Sequence, residues 1–304
     1  MTKPTILLMS MDHYENRVIE NNGSPIKTYK KMCLGHETNL TRFVLFDMLI
    51  QRHITKDDIV VTLKDRQFLY TKIFSNCIDS EAYQQIPNKQ DYHIIPLWKI
   101  TASEMHIDRP AIYQQFQHTM LEKVDIPEMK SLLNSFDYCP IDPLHQNTDF
   151  IVIHHRYQCS HEILQRMIEK VRKGNLYIPI IIFTSNIPFL KKEIENPEMN
   201  IYWTNNLQLY ASYMNSPHCR YVISEWSGGG QLSHYCHDGP VLYYFNHYRD
   251  ITGYVGREKQ ILKESMSSDF RGPYWDFKFS RNIDIRLYKN IGDLIENIEN
   301  LKSI

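Results

Sequence analysis

The second half of this chain carries a series of short, continuously apolar runs, and they restrict its fold more than any other feature. They are Asp149–His154 (DFIVIH), Ile178–Thr184 (IPIIIFT), Asn200–Trp203, Arg220–Ser224 (RYVIS) and Pro240–Phe245 (PVLYYF). None alternates apolar with polar residues, so each reads as a strand buried on both faces. Between them, Ser160–Arg172, Leu207–Met214 and Gly229–Cys236 read as helices. Buried strands alternating with helices predict a parallel sheet covered on both sides. A last helix is expected over about Ile291–Leu301, capped by Asn290.

The first half is less regular. Thr5–Met9, Asp58–Leu63 and His93–Trp98 are candidate strands. Asn39–His53 has near-helical apolar spacing and is expected to be capped by Thr38-Asn39. Gln67–Ser75 also reads as helix, and 101–133 as amphipathic helical material broken by Pro110 and Pro127. Pro140 and Pro143 interrupt the pattern between Asp137 and Asp149. A chain of 304 residues is long enough for two domains. The expected division is 1–139, a Rossmann-like lobe; 140–285, a second such lobe; and 286–304, a helix crossing back to the first.

Charge narrows the partners. With 34 Lys and Arg against 35 Asp and Glu, nothing attracts the chain globally to nucleic acid or an acidic membrane. An anionic ligand must then be held by a local site. The six cysteines include no CxxC pair and read as reduced thiols. No apolar stretch reaches the ~18 residues of a membrane span, and the opening MTKPTILLMSMD is too short for a signal-peptide core. A cytoplasmic protein is expected.

Three stretches carry candidate chemistry. In Ser224–Gln231 (SEWSGGGQ) a strand ends and a helix begins. Gly228, Gly229 and Gly230 let backbone approach a ligand, and the N–H groups of Ser227–Gln231 suit a diphosphate. Glu225 suits the hydroxyls of a ribose. The competing reading is a glycine-rich tight turn with no ligand. In Ile153–Tyr157 (IHHRY), His155 and Arg156 follow the lobe's first strand, where ligands of open α/β sheets bind. Arg156 would grip phosphate oxygens, or else pair with Glu162 or Asp149. In Leu34–Arg42 (LGHETNLTR), His36 or Glu37 is a candidate general base and Asn39 a candidate donor contact; alone, the stretch is an ordinary helix start.

Together these stretches resemble the GT-B glycosyltransferases, and among them the fucosyltransferase-like branch. That branch carries a Gly-x-x-Asn-Leu-type turn before the first-lobe helix, a His-x-Arg motif heading the donor lobe, and a Ser/Gly loop late in it. The matching stretches are Gly35–Arg42, His154–Arg156 and Ser224–Gln231. The family's catalytic Glu aligns with His36, and Glu37 stands next to it. The resemblance implies two Rossmann-like lobes with parallel sheets facing a central cleft. It implies transfer of a sugar from GDP-fucose, or a UDP-sugar such as UDP-xylose, to a glycan hydroxyl, with inversion. The base would be Glu37, then His36, then Asp12. No Asp-x-Asp occurs, so metal independence is expected, with no cofactor beyond the nucleotide sugar. The rivals are a nucleotide-sugar epimerase or hydrolase and a non-catalytic glycan-binding module. The aromatic run Phe270–Phe279 either lines an acceptor cleft or wraps the core.

Overall fold

The structure is a computed structural model. It describes residues 3–10, 14–15, 20–21, 24–25, 28–29, 34–98, 122–123, 125–155, 161–174, 177–184, 194–225, 227–244, 280–282, 284–288 and 290–298. The chain divides into two compact units, Met1–Asp137 and Tyr138–Ile304. Each holds one wholly parallel sheet, of four and six strands respectively.

In the first unit the strands are β1 (Thr5–Leu8), β2 (Ile59–Val61), β3 (Asn76–Ile78) and β4 (His93–Ile95), in the order β3-β2-β1-β4. Two short antiparallel ribbons pair Tyr14–Glu15 with Thr28–Tyr29 and Glu20–Asn21 with Ser24–Pro25. The sequence reading missed β3, whose residues are exposed or half-buried and carry no apolar run. It also read Gln67–Ser75 as helix. The structure has a 3₁₀ helix over Lys64–Leu69 followed by turns, closed by short bonds such as Tyr70 N–H to Gln67 O (2.9 Å). Of the helical material expected over 101–133, the described part is α2 (Pro127–Leu133), with proline in its first turn, where no N–H is needed.

The helix expected from Asn39 starts earlier. A turn over Leu34–His36 leads into a π-helical segment, Glu37–Thr41, and then α1 (Arg42–Ile50). Thr38 and Asn39 therefore lie inside the helical run and do not cap it. The Thr38 hydroxyl instead bonds back to the Leu34 carbonyl at 2.8 Å.

The second unit follows the predicted pattern closely. Its strands are β5 (Phe150–His155), β6 (Ile180–Thr184), β7 (Ile201–Thr204), β8 (Cys219–Glu225), β9 (Val241–Tyr244) and β10 (Ile285–Tyr288). Their order is β7-β6-β5-β8-β9-β10. The helices are α3 (His161–Gly174), α4 (Leu207–Asn215), the consecutive α5 (Gly228–Gln231) and α6 (Ser233–Cys236), and α7 (Ile291–Asn297). Spacing explains which faces are buried. Leu164, Met167 and Val171 of α3, and Leu207, Tyr210, Ala211 and Met214 of α4, recur every three or four residues and are all buried. Ile151 and Ile153 of β5 join the core cluster that includes α3 and α7. Phe150 and His154 point the other way, against Tyr213 and Tyr210 of α4.

Two expectations for the C-terminal segment change. Strand β10 is a sixth member of the sheet; the reading passed over it because its four residues are only half-buried. The last helix packs within the second unit: Leu294, Ile295 and Ile298 belong to its core cluster. Asn290 does cap it, accepting from the Asp293 N–H at 2.9 Å.

A buried cation closes the first unit's helix pair. Arg42 is fully buried. It donates to the carbonyls of Leu133 (3.0 Å), Ser135 (3.0 Å) and Leu132 (3.4 Å), at the end of α2 where carbonyls lack helical partners. Its guanidinium carbon lies 4.4 Å from the Phe136 ring centroid and 5.1 Å from that of Phe46. Replacing Arg42 with Met keeps the bulk and strands these carbonyls. It is expected to destabilise the protein by about 2–4 kcal/mol, read as a lower urea midpoint.

Candidate functional site

Strand order locates the site. The chain builds β5, then β6 and β7 to one side, then returns to the other side of β5 with β8, β9 and β10. The switch point lies between β5 and β8, and ligands of open α/β sheets bind beyond the carboxyl ends of the strands at such a point. Two of the three candidate stretches are adjacent at this place. His154 and Ser224 are paired in register across the β5–β8 ladder.

Their side chains bond directly. His154 Nδ1 and Ser224 Oγ are 2.9 Å apart, and Ser224 Oγ donates to the Glu225 carbonyl at 3.0 Å. A carbonyl only accepts, so the serine proton is engaged there and Nδ1 is the donor. The imidazole ring stacks on Phe183, centroids 5.6 Å apart, and leans on Tyr210 at 5.8 Å. This residue stood in the predicted motif, but its role in joining the two strand ends was not foreseen.

The glycine loop packs onto this pair. Ser227 is extended, and its Oγ accepts from the Gly230 N–H at 3.4 Å, starting α5. A Cβ on Gly229 would stand 2.7 Å from His154 Nε2. A Cβ on Gly230 would stand 2.3 Å from Ser224 Oγ and 2.5 Å from the Glu225 carbonyl oxygen. Both glycines are thus required by packing on the strand ends, independently of any ligand. From behind, the Gly230 carbonyl accepts from Ser233 Oγ (2.6 Å) and the Tyr243 hydroxyl (2.7 Å). Ser233 and Tyr243 were not anticipated; their signal in the sequence was only helix and strand periodicity. Gln231 closes the turn, its N–H donating to the Ser227 carbonyl at 2.8 Å. Glu225 and His155 are the last residues of β8 and β5, and both are buried. Arg156 lies outside the described residues, as do Asp12 and the run Phe270–Phe279.

The third stretch belongs to the first unit. Glu37 is fully buried, and its carboxylate accepts from Thr62 Oγ1 (2.6 Å), the Tyr70 hydroxyl (2.9 Å) and the guanidinium of Arg66 (2.5 Å). Thr62 directly follows β2, so this network ties the π-helical segment to the carboxyl end of the first sheet. Burial and the Glu37 charge hold the Tyr70 hydroxyl well above its ordinary range. A carboxylate buried this way and engaged by three donors is an anchor, not an accessible base. That burial and these three bonds weigh against Glu37 as the residue that takes a catalytic proton. Asn39 is buried in the same segment. His36 ends the preceding turn, and only its backbone is described.

Among the described residues, no three His, Cys, Asp or Glu side chains cluster closely enough to hold a metal. Among them also, no helix is long and apolar enough to cross a membrane. Comparison with protein-family models, with curated proteins and with solved structures returned no match.

Two outcomes follow from the buried groups. Glu37→Gln leaves Arg66 buried opposite a neutral side chain, and a loss of about 3–5 kcal/mol is expected in denaturant unfolding. His234, in α6 and fully buried, has its pKa pushed down by burial to about 3. The unfolded chain then binds a proton that the folded chain refuses. Stability is complete above the ordinary histidine value of about 6.5 and falls by up to ~1.4 kcal/mol per pH unit below it. Melting curves from pH 7 to pH 4 should show this slope, and His234→Gln should make it shallower, the buried His145 and His237 supplying the remainder.

Proposed function

We propose that this chain is a nucleotide-sugar-dependent glycosyltransferase of the two-lobed GT-B type, with the nucleotide held by the second unit at the switch point of its sheet. The observation that carries the reading is the convergence of the β5 end and the glycine loop after β8 at that switch point. In this proposal the diphosphate lies on the N–H groups of Ser227, Gly228 and Gly229, and Arg156 supplies the charge that balances it. Glu225 and His155 contact the nucleoside side. The donor is GDP-fucose or a UDP-sugar, and the acceptor is a glycan hydroxyl. The missing Asp-x-Asp favours a metal-independent reaction. The anchored state of Glu37 moves the proposed base to His36, with Asp12 next; either would deprotonate the acceptor as the diphosphate departs.

Calorimetry with UDP and GDP in EDTA tests the binding half. Saturable binding of one of them is expected, and Arg156→Ala should weaken it by roughly 30- to 150-fold, the loss of a charge-assisted contact of about 2–3 kcal/mol. Absence of binding to both, with binding restored by Mg²⁺ or Mn²⁺, rejects the metal-independent form. The transfer half is tested by product analysis with and without an acceptor glycan. His36→Ala should cut turnover about 10²–10⁴-fold while sparing nucleotide affinity. Sugar release or epimerisation without acceptor identifies a hydrolase or epimerase instead. Nucleotide-independent glycan binding without turnover identifies a binding module.

A further inference from the structure

A row of side chains crosses the second unit's sheet on the face covered by α4. Phe183, His154, Ser224 and Tyr243 are partners in register across β6, β5, β8 and β9. The glycine loop lies on this row. A Cβ on Gly230 would meet Ser224 Oγ, the Glu225 carbonyl oxygen and the Tyr243 ring. For a Cβ on Gly229 the three nearest atoms all belong to the His154 ring, Nε2 at 2.7 Å, Cε1 at 3.0 Å and Cδ2 at 3.6 Å.

The two glycines are held differently. The Gly230 carbonyl accepts from two hydroxyls, those of Ser233 and Tyr243. The Gly229 carbonyl lies 3.5 Å from the Tyr210 hydroxyl, at the limit of a hydrogen bond. What stands beneath Gly229 is the imidazole of His154.

That ring has little freedom to yield. His154 is 3% exposed. Its Nδ1 is bonded to Ser224 Oγ at 2.9 Å. Its plane lies 23° from that of Phe183, and Phe183 in turn stacks on Tyr210 with centroids 4.3 Å apart. Nδ1 is thus directed at Ser224 and Nε2 at the loop backbone. A ring fixed by its own neighbours makes a rigid support for a binding loop.

We infer that His154 is a positioning residue of the nucleotide site: its ring sets the height of Gly229 above the sheet, and with it the aim of the Ser227, Gly228 and Gly229 N–H groups, without touching the ligand. The consequence for binding rests on the nucleotide reading above; the support of the loop rests on these contacts alone. A loop aimed in advance spares the ligand the cost of ordering it, so losing the support lowers affinity.

Two substitutions separate the ring from its hydrogen bond. His154→Asn keeps a donor toward Ser224 and removes the ring from Gly229 and Phe183. His154→Phe keeps the ring and loses the donor. In the ligand-free full chain, amide hydrogen exchange of the peptide covering 227–231 should be about 10-fold faster in His154→Asn and within about 3-fold of the parent in His154→Phe. Gly229→Ala disturbs the same contact from the loop side and should speed exchange by about 10-fold as well. In calorimetry on natively melting protein, whichever of UDP and GDP the parent binds should bind about 10-fold more weakly to His154→Asn and within about 3-fold of the parent to His154→Phe. Gly229→Ala should weaken binding about 10-fold in the parent and less than about 3-fold in His154→Asn, where the clash is gone.

Parent-like exchange in His154→Asn and Gly229→Ala overturns the inference, whatever the nucleotide result. Binding as weak in His154→Phe as in His154→Asn also overturns it, because a ring nitrogen then touches the ligand. So does a lower melting temperature in His154→Asn with parent-like exchange and affinity, the mark of a residue that only fills the core. A parent that binds neither nucleotide rejects the nucleotide reading instead, and the exchange rates still decide whether His154 supports the loop.

Discussion

The pairing of β5 with β8 is the constraint on which the second unit depends. These two strands meet in the middle of a six-stranded parallel sheet, although 70 residues separate His154 from its bonded partner Ser224. Two further strands and their connections must be placed before β8 can return beside β5. Once it does, the carboxyl ends of both strands lie side by side, and the glycine loop after β8 packs on them. His154 and Ser224 lock that geometry from below, and the Ser233 and Tyr243 hydroxyls hold the Gly230 carbonyl from behind. The loop is fixed by hydrogen bonds on the protein side, which leaves its N–H edge organised before any ligand arrives.

The first unit is organised around a different interaction, burial of charge. Glu37 and Arg66 are both buried and paired, and Thr62 and Tyr70 complete the carboxylate's coordination. Arg42 is buried as well, with helix-end carbonyls as its acceptors. Groups of this kind are costly to desolvate and tolerable only when every partner is in place. They explain how the π-helical segment Glu37–Thr41 persists: the Glu37 carboxylate is tied to the carboxyl end of β2, and one turn further Arg42 is tied to the end of α2.

The glycines at 229 and 230 serve two functions that the sequence does not separate. A glycine-rich turn after a buried strand signals close approach of the backbone to something. Here at least part of that something is the protein itself, the His154 ring and the Ser224 hydroxyl. The same applies to Glu37. Its position beside a glycine and a histidine suggested chemistry, and its contacts show a carboxylate engaged in holding the fold.

By itself the sequence determined the strands and helices of the second unit, the parallel character of its sheet and the division of the chain near Pro140. Those features rest on local periodicity and on continuous apolar runs, which a linear reading detects. It missed β3 and β10, because half-buried edge strands have no such run, and it misplaced the start of the α1 helix, because Thr38 bonds inward instead of capping. Only the tertiary structure decided which strand ends meet, that Glu37 is anchored and that the last helix packs in the second unit's core. Each of these is a contact between residues far apart in the chain, settled by burial and by the hydrogen bonds that burial demands; no local pattern in the sequence encodes it.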